Sequence, residues 1–207
     1  MMYEMEISVS QRELNEISKK LESISGKQPM VMKQAVNDAA KKIRSRLGKA
    51  TGKRYATEKR VSYLSEMKIK TAKVGNLEAE ISAKSKWDGN VFDFKVSPRE
   101  FLTGGDRPKY FTGRVLKSSG MKKLEENGFK AFVIKFNYKN KQTGEEGETL
   151  KVVRRKEKKK RSVTKLMSPN MAQMLNTTAS LPEVQADANK ILRECLDKHI
   201  QKVLEGK

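Results

Sequence analysis

Val184, Ala188, Ile191, Leu192, Cys195, Leu196, Ile200 and Val203 fall close to one face of a helix. The stripe lasts about five turns and predicts a closing helix over 181–205. A helix apolar along one side must lay that side on another layer, so the chain before it has to supply a partner surface.

The upstream pattern supplies a sheet. Tyr3, Met5, Ile7 and Val9 alternate with polar residues as in a half-buried strand. Leu77, Ala79, Ile81 and Ala83 do the same, as do Phe92, Phe94 and Val96 until Ser97-Pro98 ends the run. Phe132, Ile134, Phe136 and Tyr138 mark another strand, and 149–154 a further one. Between these two, 139–148 is polar and holds two glycines, which suits an extended hairpin tip. Residues 99–113, with Gly104-Gly105, Pro108 and Gly113, read as a long loop.

Helical signals come first. Ser10-Gln11-Arg12-Glu13 reads as a capping box, with Val9 and Leu14 as its staple, opening a helix through Leu14, Ile17, Leu21 and Ile24 that stops at Gly26. Pro29 suits the first turn of a second helix. Its stripe is Met32, Val36, Ala39, Ile43 and Leu47, its basic face Lys33, Lys41, Arg44 and Arg46, and Gly48 is placed to end it. A short third helix is expected around 57–64. The sum is α+β: N-terminal helices over 10–64, a central mostly antiparallel sheet over 67–155, a basic projection at 156–165 and the closing helix, all in one domain spanning 1–207.

The chain carries a formal charge of +20, from 45 basic and 25 acidic residues. Part of this excess is spread along the first 150 residues. The rest is concentrated within 151–165, where nine Lys or Arg stand against the single Glu157. Such a field favours polyanions, nucleic acid being the commonest, or an acidic protein neighbour; a solvated face is the plain alternative. Arg154, Arg155, Lys156, Lys158, Lys159, Lys160 and Arg161 are the candidate electrostatic contacts. The block starts as the end of a strand and is not a free tail. It contains no aromatic ring, and Trp87 and Tyr110 read as rim packing in turn-like surroundings. Any DNA contact is therefore expected at backbone phosphate, independent of sequence.

Catalytic constellations are sparse. Cys195 and His199 stand four apart on the closing helix, but Cys195 continues the apolar stripe, and zinc would need ligands that no other Cys or His can supply. Glu78, Glu80 and Asp93 are carboxylates that a strand-borne nuclease could use, though no spaced, loop-borne acidic pair stands out, and Gly104-Gly105 lacks the Lys-Ser/Thr of a phosphate-binding loop. No enzyme activity, cofactor or metal is expected. With one cysteine no intramolecular disulfide forms, which fits a reducing compartment. No secretory signal and no membrane-spanning run is visible, so the cytoplasm is the expected location when the chain is made.

The order of segments carries a resemblance. AVNDAAKKIR is followed by LEAEISA, FDFKVSPRE, KAFVIKF, VVRR and SVTKLMSPNMAQML before the terminal helix. The matching positions are Phe94 to Arg99, Ala131-Phe132-Val133, Arg154 or Arg155, and Ser168-Pro169 through Met174. In this the chain resembles the minor tail protein Z family of long-tailed bacteriophages and prophages, also called tail-completion proteins. Ser162-Val163 and Met167 stand where that family tends to have Pro-Ile and Gly, and the insertion 156–161 is longer. The resemblance implies a non-enzymatic virion protein in the tail or neck, acting at the head-proximal end of the tail. Its implied partners are the tail terminator, the tail tube and the head–tail connector, in a homohexameric ring that touches double-stranded DNA. Ser168, Pro169, Met171 and Met174 would then form a docking segment. The alternative is a sequence-independent nucleic-acid-binding protein acting through the basic patch.

Overall fold

The computed structural model describes residues 2–8, 19, 28–58, 62–84, 89–139, 144–157 and 162–205. The expected capping box and the helix through Leu14–Ile24 lie outside them, Lys19 apart. The fold class is α+β. Where one domain is expected, the chain divides into two compact units built from separated stretches. Unit one comprises Met1–Thr51, Ser62–Ser85 and Met171–Lys207, and unit two Gly52–Val61 and Lys86–Asn170. Among the described residues the expected central sheet is three smaller antiparallel sheets.

Unit one contains β1 (Met2–Ser8), β2 (Met67–Lys70) and β3 (Glu78–Lys84), with β3 in the middle. Alternation along β3 buries Ala79, Ile81 and Ala83 as the sequence pattern requires. Helix α1 (Gln28–Arg54) buries Met32, Val36, Ala39, Ile43 and Leu47. It does not stop at Gly48. An added Cβ there would stand 3.2 Å from Leu64 Cδ2 in the short helix α2 (Tyr63–Glu66), so the glycine serves close packing rather than termination. The helix runs on to Arg54, and the buried Thr51 within it satisfies its hydroxyl by donating to Leu47 O at 2.8 Å. Of the third helix expected around 57–64, the described residues show α2, and Thr57 bridges to Phe94 instead.

Helix α3 (Met171–Ala179) packs on β1 and β3, and α4 (Pro182–Leu204) buries Val184, Ala188, Leu192, Cys195, Leu196 and Ile200. Arg46 pairs with Asp187 at 2.6 Å and Asp38 meets His199 at 3.0 Å, so α1 and α4 run antiparallel. Among the described residues no helix is long and apolar enough to cross a membrane.

Unit two holds β4 (Lys95–Ser97), β5 (Thr112–Arg114) and β6 (Lys122–Lys123) as one sheet. The other, in the order β10-β9-β8-β7, comprises β7 (Glu125–Glu126), β8 (Phe129–Lys139), β9 (Glu146–Arg155) and β10 (Val163–Lys165). Asn127 and Gly128, with φ of 53° and 74°, make the tight β7–β8 turn. The core is Val91, Phe92, Val96, Phe111, Ala131, Val133 and Val152. Phe92 sits in a 3-10 turn, Val91–Asp93, and not in the strand its alternation with Phe94 suggests, because Asn90 Oδ1 accepts from Phe92 N and caps the turn. Arg99 closes this region by donating to Glu58 Oε1 at 2.5 Å and Phe92 O at 2.7 Å.

Candidate functional site

Opposed residues of an antiparallel ladder project to the same face. In the β8–β9 register Ala131 opposes Arg154, Val133 opposes Val152, Lys135 opposes Leu150, Asn137 opposes Glu148 and Lys139 opposes Glu146. Ala131, Val133 and Val152 are core, so this is the inward face over its first half. Further out it is a charge ladder: Lys135 pairs with Glu148 at 2.6 Å and Lys139 with Glu146 at 3.1 Å. Glu126, opposite Phe129, shares this face and pairs with Arg154.

The other face is composed differently. It carries Phe132, Ile134, Phe136 and Tyr138 from β8, opposite Val153, Lys151, Thr149 and Gly147 from β9. Phe136 is 48% and Tyr138 50% exposed. Tyr138 lies across Gly147, where an added Cβ would come within 2.8 Å of the ring, so the missing side chain lets the ring settle on the neighbouring strand. Lys151 Nζ stands 4.3 Å from the centre of the Phe136 ring, and Arg107 from the 99–111 loop 4.9 Å from that of Phe132. Lys123 and Lys130 both stand over Tyr110, at 4.5 and 4.4 Å. Where this face meets the β7–β8 turn, a cleft of about 410 Å³ is lined by Arg107, Gly128, Phe129, Lys130, Phe132 and Arg155. By register, Glu125, opposite Lys130 in β7, is the one carboxylate of the β7–β10 ladder on this side. Among the described residues none of Arg107, Lys130, Lys151 and Arg155 pairs with a carboxylate. Ammonium–ring contacts of this kind are worth about 0.5–1 kcal/mol at exposed sites, enough to bias a lysine and too little to hold it against a ligand.

The residues named from sequence meet different fates. Arg154 is turned to the inward face and committed to Glu126, with its side chain 16% exposed. Arg155 and Lys156 are exposed, and Lys158, Lys159, Lys160 and Arg161 lie outside the described residues. Ser168 is tied down where its amide donates to Gly89 O at 3.0 Å, and a Cβ on Gly89 would collide with Ser168 O. Pro169 is half-buried beside it. Met171 and Met174 are fully buried in α3, so the expected docking segment is corrected there: these two side chains pack into their own unit and offer nothing to a partner.

The other residues considered for chemistry are placed as follows. Glu78 and Glu80 belong to unit one and Asp93 to unit two, and Glu80 pairs with Lys70 at 3.4 Å. Cys195 is buried and His199 is hydrogen-bonded to Asp38. Burial raises the Asp38 pKa, and hydrogen bonds from His199 and Lys41 outweigh it, holding the carboxyl below its ordinary 3.8. Among the described residues no group of three or more His, Cys, Asp or Glu could hold a metal ion.

The basic block does lack rings of its own, but β8 beside it supplies them. Tyr110, expected as rim packing, sits against two lysines, and Trp87 lies outside the described residues. One signal could have found the surface. Two apolar series interleave in β8: Ala131 and Val133 enter the core, while of the other Phe132 is partly buried against it and Phe136 and Tyr138 are exposed. In comparison with known proteins, no family model, no curated protein and no solved structure matches the chain.

Proposed function

We propose that this protein is a structural, non-catalytic component of a long-tailed phage particle, acting at the head-proximal end of the tail and completing it for joining to the head. The observation that carries this reading is the order of the segments FKVSPR, AFV, VVRR and SPNMAQM along most of the chain. The geometry agrees with an assembly role in one respect: residues Lys135–Lys139 are exposed on both faces of the hairpin. A two-stranded ribbon is marginal on its own, and a neighbouring copy in a six-membered ring would cover the face that carries Lys135, Asn137 and Lys139. Purified particles, with their tails separated and searched by mass spectrometry, test this. A few copies per particle in the head-proximal fraction is the expected result, and recovery only from lysate contradicts it.

A second reading is a nucleic-acid-binding protein acting through the basic patch alone. It is favoured by Arg155 and Lys156, which are exposed and have no carboxylate partner among the described residues. It predicts tight binding of duplex DNA by the monomer, with an affinity that falls steeply with salt.

A further inference from the structure

We propose that the ring-bearing face of the β10-β9-β8-β7 sheet binds a single strand of nucleic acid, with bases on Phe136 and Tyr138 and phosphates on Lys151, Lys130, Arg107 and Arg155. This goes beyond both readings above and stands without the tail assignment, because it rests on one surface of unit two.

Charge selects the occupant. Within the paired strands of the hairpin the carboxylates, Glu146 and Glu148, project from the opposite face and pair with Lys135 and Lys139 there. Within the β7–β10 ladder the ring-bearing face keeps its cations and has Glu125 at its β7 edge. Rings and arginines alone suit a protein partner as well, but such a partner has to bring carboxylates to these cations, whereas every nucleotide of a strand brings a phosphate. Exposed rings interleaved with unpaired cations are instead the make-up of single-strand grooves.

Spacing selects the kind of strand. Phe136 and Tyr138 are two residues apart on one face, which places their rings about 7 Å apart. Bases stacked in a duplex rise about 3.4 Å per step, and their faces are hidden in the stack. Two rings at twice that rise suit a strand drawn out with its bases unstacked. A base arriving on Phe136 displaces Lys151 from the ring, and the freed ammonium stays within reach of the adjoining phosphate. At the other end the cleft of about 410 Å³ gathers Arg107, Lys130 and Arg155 around Phe132. That volume lies within the roughly 300–1,000 Å³ usual for small-ligand sites. There the strand's sugar–phosphate is held by charge.

The test uses the full chain and fluorescence anisotropy with a labelled oligothymidine and a duplex of equal length. Phe136→Ala and Tyr138→Ala are each expected to weaken oligothymidine binding about tenfold. Tyr138→Phe keeps the ring and should restore it. Arg107→Ala should flatten the salt dependence by about 0.7 for the phosphate it releases. Duplex binding should be weaker and indifferent to the ring variants. Because both rings are half exposed, circular dichroism should be unchanged in these variants. Equal binding of the two oligonucleotides, or ring variants that bind like the parent, overturns the proposal in favour of phosphate contact by the basic block. So does failure to bind either one, including the case where the ring variants alter sedimentation and reveal the face as a protein interface.

Discussion

The two faces of the β8–β9 ladder come from the same two strands in the same register, yet they have been given opposite tasks. The inward face takes the small residues Ala131, Val133 and Val152, which fit against the large rings of Phe92 and Phe111 contributed by other segments. The outward face keeps Phe136 and Tyr138, the larger rings, in solvent. Size therefore does not decide what is buried: Val153 on the ring-bearing face is 3% exposed, while Phe136 and Tyr138 further out, where Lys135, Asn137 and Lys139 of the other face are open too, stay in solvent. What decides it is whether the opposing layer leaves room, since interiors pack at near-crystalline density. Charge is sorted along the same division: acids meet bases on one face, and on the other the ladder sets only Glu125 among the bases, at the β7 edge.

The largest test of this contrast makes one substitution on each side. Phe111→Ala, at a residue only 1% exposed, should cost about 3–5 kcal/mol in denaturant unfolding. Phe136→Ala removes the same ring from the open face and should cost less than about 1 kcal/mol. Similar losses at the two positions would mean that both faces are core. Next in size is a change of charge. Thr149→Glu sets a carboxylate opposite Phe136, and oligothymidine binding should fall several-fold. Glu148→Gln, one residue earlier and on the other face, should leave binding unchanged. In stability, Glu148→Gln breaks an exposed ion pair and should cost between about 0 and 1 kcal/mol, measured by thermal melting.

The smallest effect is a control in unit one. The folded Asp38 pKa lies below 3.8, so its contribution is full above that value and is lost as pH falls through the folded pKa. His199→Ala should move the Asp38 titration, followed by NMR, back toward 3.8 and leave the sheet's ligand binding untouched.

Much of the fold was legible because periodicity reports burial directly where one element faces one layer. The stripes of α1 and α4, and the alternation of β3, are buried on the side their spacing requires. Legibility failed where a residue has two possible uses. Gly48 reads as a stop, but it is a contact point for Leu64. Met171 and Met174 look like an exposed motif in a Pro-preceded segment, yet they are the core stripe of a nine-residue helix too short to show its period clearly. The division into two units was hidden because each is stitched from distant stretches, and composition does not change at their boundaries. The candidate surface was half visible. The cations were plain in 151–156, while the rings that give them a use belong to the preceding strand. Only the register brings Phe136 beside Thr149 and Ile134 beside Lys151.

The most direct measurement is an NMR titration of the full chain with oligothymidine, followed at side-chain signals that separate the two faces. The account predicts that the ring protons of Phe136 and Tyr138 and the methyls of Ile134 shift together and saturate together, while the methyls of Val133 and Val152 stay in place. Saturating binding that leaves the Phe136 and Tyr138 rings unmoved would contradict it.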